Sequence, residues 1–162
     1  MQNISKYIRF AVIAGVLVVI DQFTKYLVLQ SISLHRSIAI IPGFFNLTHV
    51  HNPGGAFGFL ADHGSAWRHW IFIIAIFAAM ALIIYFYHQT PRTRPFLQLA
   101  LAMIFGGAVG NLIDRIRFGK VIDFLDFYIG QLHWPAFNVA DSAVTVGVAI
   151  FVGHILFKKM PY

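Results

Sequence analysis

The chain has 162 residues, 59% of them hydrophobic and 11% charged, with a mean hydropathy of +0.73. That composition excludes an ordinary soluble domain and points to an integral membrane protein. The formal charge of +6 lies in small basic groups beside apolar runs, not along one stripe, so it reads as membrane topology and argues against nucleic acid as a partner. The absence of cysteine removes disulfides, thiol nucleophiles and cysteine-ligated metals together. All six acidic residues are aspartates: Asp21, Asp62, Asp114, Asp123, Asp126 and Asp141. Five stand beside or inside long apolar segments, where a carboxylate costs several kcal/mol unless it is paired, hydrated or protonated.

In chain order, the first predicted span covers 8–29, with Asp21 and Lys25 inside it. The apolar run continues past Asp21 and shows no small-residue cleavage site, so it reads as a retained helix and not as a leader. Segments 38–41 and 44–51 look extended, with turns at Pro42-Gly43 and Asn52-Pro-Gly-Gly55. Phe44, Phe45, Phe57, Phe59 and Trp67 make this connection too apolar for a free loop and predict a small sheet or platform at the interface. Residues 70–87 are nearly free of polar groups and long enough to span. A third span follows at 96–113, where Gly106 and Gly110 allow a neighbouring helix to approach closely. The connection 115–140 is apolar but polar at chosen points, and is expected to be tethered to the membrane surface and to bring Asp123 towards Asp141. A fourth span covers 141–157. Residues 1–162 are expected to form one unit without a separate soluble domain.

Four spans place both termini on one side. Lys6, Arg9, Arg92, Arg94, Lys158 and Lys159 lie on that side, against Lys25, Arg36, Arg68, Arg115, Arg117 and Lys120 on the other or within the membrane. Position breaks the tie, since Lys25 falls inside a helix while Arg115, Arg117 and Lys120 are interleaved with acids; both termini are therefore assigned to the cytoplasm. From Ile8 to Asp21 a helix rises about 20 Å, against about 30 Å of hydrocarbon, so Asp21 belongs to the outer part of the membrane. The aspartates then converge on one extracytoplasmic layer.

Asp21 and Lys25 are four apart on one helical face and read as an ion pair. Gly107, Asn111 and Asp114 share a face of the third helix. Either they form a polar terminus with a local pair between Asp114 and Arg115 or Arg117, or Asn111 and Arg115 hold the carbonyls of a peptide while Asp114 orients Arg115. Asn138 and Asp141 have the spacing of a helix N-terminus, so capping alone could account for Asp141. A second carboxylate meeting Asp141 would give it another use. Two close carboxyls share a proton, one serving as base towards water and the other as acid towards a scissile carbonyl, which is aspartic protease chemistry needing no metal or cofactor. The macrodipole favours negative charge at Asp141, so the shared proton is expected to rest on Asp123.

Other chemistries fit less well. No Gly-x-Ser-x-Gly is present, and His-Glu-x-x-His is impossible without glutamate. His49 and His51 share a strand face but lack a third ligand, and so read as solvated strand histidines. His154 reads as an interhelical hydrogen bonder. A proton- or ion-coupled transporter and a packing subunit remain as alternatives on the residues alone. A transporter would place ionisable groups near the midplane, often with repeat symmetry, whereas these acids cluster at helix ends and no repeat is visible.

Five segments, in order, resemble the motifs of bacterial lipoprotein signal peptidase, or signal peptidase II. They are Asp21-Gln-Phe-Thr-Lys25, Asn52-Pro-Gly-Gly-Ala-Phe57, Gly106-Gly-Ala-Val-Gly-Asn-Leu-Ile-Asp-Arg115, Val121-Ile-Asp-Phe124 and Phe137-Asn-Val-Ala-Asp141. The resemblance implies a helical inner-membrane aspartic endopeptidase with four transmembrane helices and a small periplasmic β-platform. It implies a prolipoprotein substrate carrying diacylglycerol on its lipobox cysteine, cut just before that cysteine. By motif position, Asp123 and Asp141 take the catalytic roles, and Asp62 and Asp126 are left as ordinary interfacial charges. Asn52, Gly54, Asn111, Arg115 and Asn138 fall at the substrate site, and Asp21, Lys25 and Asp114 support it. No metal or cofactor is implied, and the chain is expected to act as a monomer among membrane lipids.

Overall fold

The computed structural model describes residues 2–54 and 66–157, with the side chains of 4–54 and 70–157. Of the positions singled out above, Gly55, Phe57, Phe59, Asp62, Lys158, Lys159 and the side chains of Trp67 and Arg68 lie outside the described residues. Four helices are long and apolar enough to cross a membrane: α1 (Gln2–Ser31), α2 (Ala66–Gln89), α3 (Pro95–Phe118) and α4 (Val139–Phe157). Each contains its predicted span and runs one to six residues beyond it at one or both ends.

α3 is the central helix. Half of its apolar window is buried inside the protein, against 17–22% for the other three, whose exposed Val, Ile and Phe side chains suit contact with lipid. Small residues permit this packing. A Cβ on Gly106 would lie 3.0 Å from the backbone of Ala14 in α1, and one on Gly107 only 2.4 Å from the Ala140 carbonyl oxygen in α4. α3 continues past Asp114 for one more turn and stops at Gly119, whose left-handed φ of 71° lets its N–H reach the Arg115 carbonyl oxygen at 2.9 Å.

Strands β1 (Ser37–Ile41), β2 (Phe45–Asn52), β3 (Val121–Ile129) and β4 (Leu132–His133) form one antiparallel sheet in that order. The first two match the extended segments read from the sequence. The pairing of β2 with β3 joins the two outer connections into a single platform, with Val50 opposite Asp123 and Asn52 opposite Val121. Ile122 and Phe124 pack on Val28 of α1 and on Ile32 just after it, which fixes the sheet over the end of that helix. The segment after β4 then returns to β3: the Leu125 N–H donates to the Phe137 carbonyl oxygen at 2.8 Å, and the Phe137 N–H donates back to Leu125 at 3.1 Å. Asn138 is thereby set beside Asp123.

Gly107→Ala should lower stability by about 1–3 kcal/mol, since its new methyl group meets backbone that cannot yield. Gly15→Ala, with nothing within 4 Å of its Cβ, should be neutral or stabilising by up to about 1 kcal/mol. Thermal unfolding in detergent measures both, and equal effects would contradict the close packing of α3 on α4.

Candidate active site

Lys25 lies at the centre of a buried polar cluster. Its Nζ is 2.8 Å from Asp21 Oδ2 and 2.8 Å from Asp114 Oδ2, and donates to Asn111 Oδ1 at 3.1 Å. An ammonium has three N–H donors, and all three are used. Asp21, Lys25 and Asp114 are each no more than 2% exposed. The intrahelical Asp21–Lys25 pair is present as expected, but Asp114 takes its ion-pair partner from α1 and not from Arg115 or Arg117. Consecutive helix residues point about 100° apart, so Arg115 cannot follow Asp114 to Lys25. Asp114 also accepts from the Ile122 N–H at 3.1 Å and from Gln22 Nε2 at 2.9 Å. The Gln22 amide further reaches Asp21 Oδ2 and the Gly110 carbonyl. Sequence reasoning passed over Gln22, although its place beside Asp21 in a motif was an available signal.

The cluster extends to α4. Asp21 Oδ1 accepts the Ala140 N–H at 2.9 Å, and Asn111 Nδ2 donates to Asp141 Oδ1 at 2.8 Å. Asn138 and Asp141 form a reciprocal cap, with the Asp141 N–H on Asn138 Oδ1 at 2.9 Å and the Asn138 N–H on Asp141 Oδ2 at 3.2 Å. Capping does not exhaust either residue. Asn138, fully buried, donates from Nδ2 to Asp123 Oδ1 at 2.8 Å. One asparagine thus contacts both Asp123 and Asp141.

Asp123 arrives from β3 and is 2% exposed. Its Oδ2 accepts from Asn52 Nδ2 at 3.0 Å, while Asn52 Oδ1 accepts the Gly54 N–H at 2.9 Å. Gly54 has φ +86°, and a Cβ there would lie 2.7 Å from the Phe72 ring and 3.0 Å from Arg115 Nη1; glycine meets both demands. Burial, reinforced by Asp141, pushes the Asp123 carboxyl up to about 6 against the opposing hydrogen bonds of Asn52 and Asn138 and the charge of Lys25. The Arg115 guanidinium stacks over Phe72 at 4.6 Å. Among the described residues it forms no ion pair, yet Asp123 and Asp141 both act on it. A cleft of about 560 Å³ opens on Asp141, walled by Trp134, Pro135, Phe137, Ser142 and Thr145.

The profile of the family described as Signal peptidase (SPase) II matches residues 13–157. The chain belongs to the signal peptidase II family. Lipoprotein signal peptidases of Desulforapulum autotrophicum and Syntrophus aciditrophicus are 50% and 45% identical to it, over 98% and 94% of this chain and the same shares of their own lengths. A solved structure titled as a bacterial membrane enzyme superposes with a TM-score of 0.82 at 33% identity, covering 94% of this chain and 90% of that one. Family and fold class thus agree with the motif reading: a multi-pass membrane aspartic peptidase with four helices and a small sheet.

Three readings outside the cluster need correction. Asp126, expected as an ordinary interfacial charge, is buried and held by Asn46 Nδ2 at 2.9 Å and His133 Nδ1 at 2.8 Å, because the sheet pairs Asn46 with it and the β4 turn returns His133. His49 is buried and not solvated, its Nδ1 at 2.8 Å from the Ile32 carbonyl oxygen and its Nε2 at 3.1 Å from His51 Nε2. Burial, with Lys120, His49 and His35 nearby, holds His51 below the ordinary imidazole range. A register shift between Leu47 and Val50 accompanies this placement. His154 has no hydrogen-bond partner among the described residues, so the interhelical bond expected of it is not formed with them. Among the described residues, no group of three or more metal-ligating side chains forms.

Lys25→Met should leave Asp21 and Asp114 as buried carboxylates without a cation and cost about 3–5 kcal/mol. Thermal unfolding of the purified variant checks this; a loss below about 1 kcal/mol, the range of a surface pair, would contradict the central position of Lys25.

Proposed function

We propose that Asp123 and Asp141 are the catalytic dyad through which this signal peptidase II removes the signal peptide from diacylglyceryl-modified prolipoproteins, cutting on the N-terminal side of the lipidated cysteine. The observation that carries the assignment is the shared asparagine: Asn138 donates from its side-chain Nδ2 to Asp123 Oδ1 and from its backbone N–H to Asp141 Oδ2, so one buried residue holds both carboxyl groups. Asp123, raised to about 6, carries the proton of the pair below that pH. Asp141 takes a proton from water, whose oxygen attacks the scissile carbonyl carbon, while Asp123 gives its proton to the carbonyl oxygen. The C–N bond then breaks. The cysteine amine leaves with the proton held on Asp141, and Asp123 recovers one from the diol as the new carboxyl group forms.

Arg115 and Asn111 serve the peptide carbonyls, and Asn52 with Gly54 sets the edge of the site. Asp21, Lys25 and Asp114 hold α1, α3, α4 and β3 in register around it. The basic residues at the ends of the spans support an inner-membrane orientation with both termini cytoplasmic and the dyad towards the periplasm. In that orientation the dyad lies where a lipid-anchored cysteine presents its preceding peptide bond. One monomeric unit comprising residues 1–162, surrounded by lipid, supplies all of these groups.

Cleavage of a lipid-modified prolipoprotein by the purified protein tests the assignment. Asp123→Asn and Asp141→Asn should each lose about 10²–10⁴-fold in rate while unfolding at the wild-type temperature, and a chelator should have no effect. Full activity in either folded variant would remove that residue from the dyad. The pH profile gives a separate check. Activity requires protonated Asp123, so kcat/KM should fall as pH rises through about 6. Asn52 stabilises the ionised form of Asp123; Asn52→Ala should therefore move that alkaline limb to higher pH, and a limb that moves down or stays fixed would count against the proton on Asp123.

A further inference from the structure

Asp126 is a buried carboxylate that the dyad chemistry does not use. Successive strand residues alternate faces, so Asp126, three residues beyond Asp123, points away from the dyad. A buried carboxylate is unfavourable unless its oxygens are bonded, and both are: Oδ2 accepts from Asn46 Nδ2 at 2.9 Å and Oδ1 lies 2.8 Å from His133 Nδ1. A carboxylate only accepts, so Nδ1 carries the ring proton. The imidazole also stacks on Tyr128, with centroids 4.9 Å apart and planes at 8°, and the Tyr128 hydroxyl accepts the Gly43 N–H at 2.9 Å. His133 is thereby tied through side chains to β2, β3 and the turn before β2.

The consequence lies in the residues that follow. β4 has two residues, both exposed, with Leu132 80% exposed, so apolar burial does not fix this strand. Residues 134–137 come next and form one wall of the cleft that opens on Asp141, facing Ser142, Thr145 and Val146 of α4. The two ends of that wall are held unequally. At one end the Phe137 N–H and carbonyl oxygen both bond to β3, and Asn138 beyond it is buried, with side-chain bonds to Asn111, Asp123 and the Ile122 carbonyl oxygen. At the other end the Trp134 N–H donates to the Phe127 carbonyl oxygen at 2.8 Å, the Trp134 side chain is exposed, and Pro135 has no N–H to add. The Asp126–His133 contact is the side-chain anchor of that end.

We propose that His133, held by Asp126, is a positioning residue: it fixes the Trp134 end of the cleft wall and so sets how tightly the prolipoprotein segment beside the scissile bond is seated against Asp141. The inference rests on Asp141 belonging to the dyad. Its effect falls on substrate binding and not on the chemical step, because Asn138, which holds the two carboxyl groups, keeps its own bonds when the Trp134 end loosens.

Two measurements on the purified full chain test the pair: KM and kcat for a lipid-modified prolipoprotein, and Kd for the same substrate in the Asp123→Asn background. His133→Ala should raise KM and Kd about 10-fold and leave kcat within about 2-fold of wild type. His133→Asn, which returns an amide N–H to the place of Nδ1, should recover part of that loss, whereas Gln131→Ala in the same hairpin should match wild type. Asp126→Ala should match His133→Ala, and the double variant should bind no more weakly than either single one. Should Asp126→Ala fail to fold, the comparison of His133→Ala with His133→Asn decides. An unchanged Kd in folded His133→Ala, a fall in kcat at constant KM, no recovery in His133→Asn, or additive losses in the double variant would overturn the proposal. Turnover by Asp123→Asn or Asp141→Asn would count against the dyad, while the KM ratio of His133→Ala to wild type still reads the pair, so the two failures are distinct.

Discussion

The structure depends on one buried ammonium group. Lys25 Nζ lies 2.8 Å from two carboxylates on different helices and 3.1 Å from an asparagine oxygen, with all three of its protons committed. Charges held away from water are tolerable only when geometry is close and every remaining lone pair is used. That condition extends outward from Lys25. Asp21 reaches the Ala140 N–H of α4, Asp114 reaches the Ile122 N–H of β3, and Asn111 reaches Asp141. α1 and three elements from the second half of the chain, α3, β3 and α4, are therefore registered against a single cation. Gly110 leaves room for this: a Cβ there would come within 2.6 Å of Asp21 Oδ2.

Registration of this kind gives two chemically identical side chains unequal surroundings. Asp123 sits on a strand, nearly closed off from solvent, and its carboxyl is pushed up to about 6. Asp141 stands in the first turn of α4, capped by Asn138 and contacted by Asn111. A peptidase dyad needs such inequality, because one carboxyl must donate while the other accepts. The polar layer supplies it.

Much of this was legible in the sequence, and what was hidden has physical reasons. Long uncharged runs disclose spans whatever their partners, so the four helices could be read from hydropathy alone. The Asn138–Asp141 cap is local, as is the Asp21–Lys25 pair. Pairing of β2 with β3 was not readable from the residues, because Val50 and Asp123 are brought together across two intervening helices. The same long-range closure misled the reading of Asp126, which looks like a surface charge until Asn46 and His133 are placed around it. Asp114 reads from the sequence as a partner of Arg115 or Arg117 on its own helix, but close neighbours on a helix face different directions. Its partner comes from α1. Resemblance in five motifs indicated which residues matter, whereas geometry shows what holds each of them.

The central claim is that the free enzyme keeps a neutral carboxyl at Asp123 within a cluster organised by Lys25. Infrared difference spectroscopy of the purified protein across a pH titration addresses it directly. A protonated-carboxyl band that disappears near pH 6 in the wild type and is missing in Asp123→Asn is the predicted result. The same band persisting in Asp123→Asn, or vanishing only in Asp141→Asn, would contradict the account.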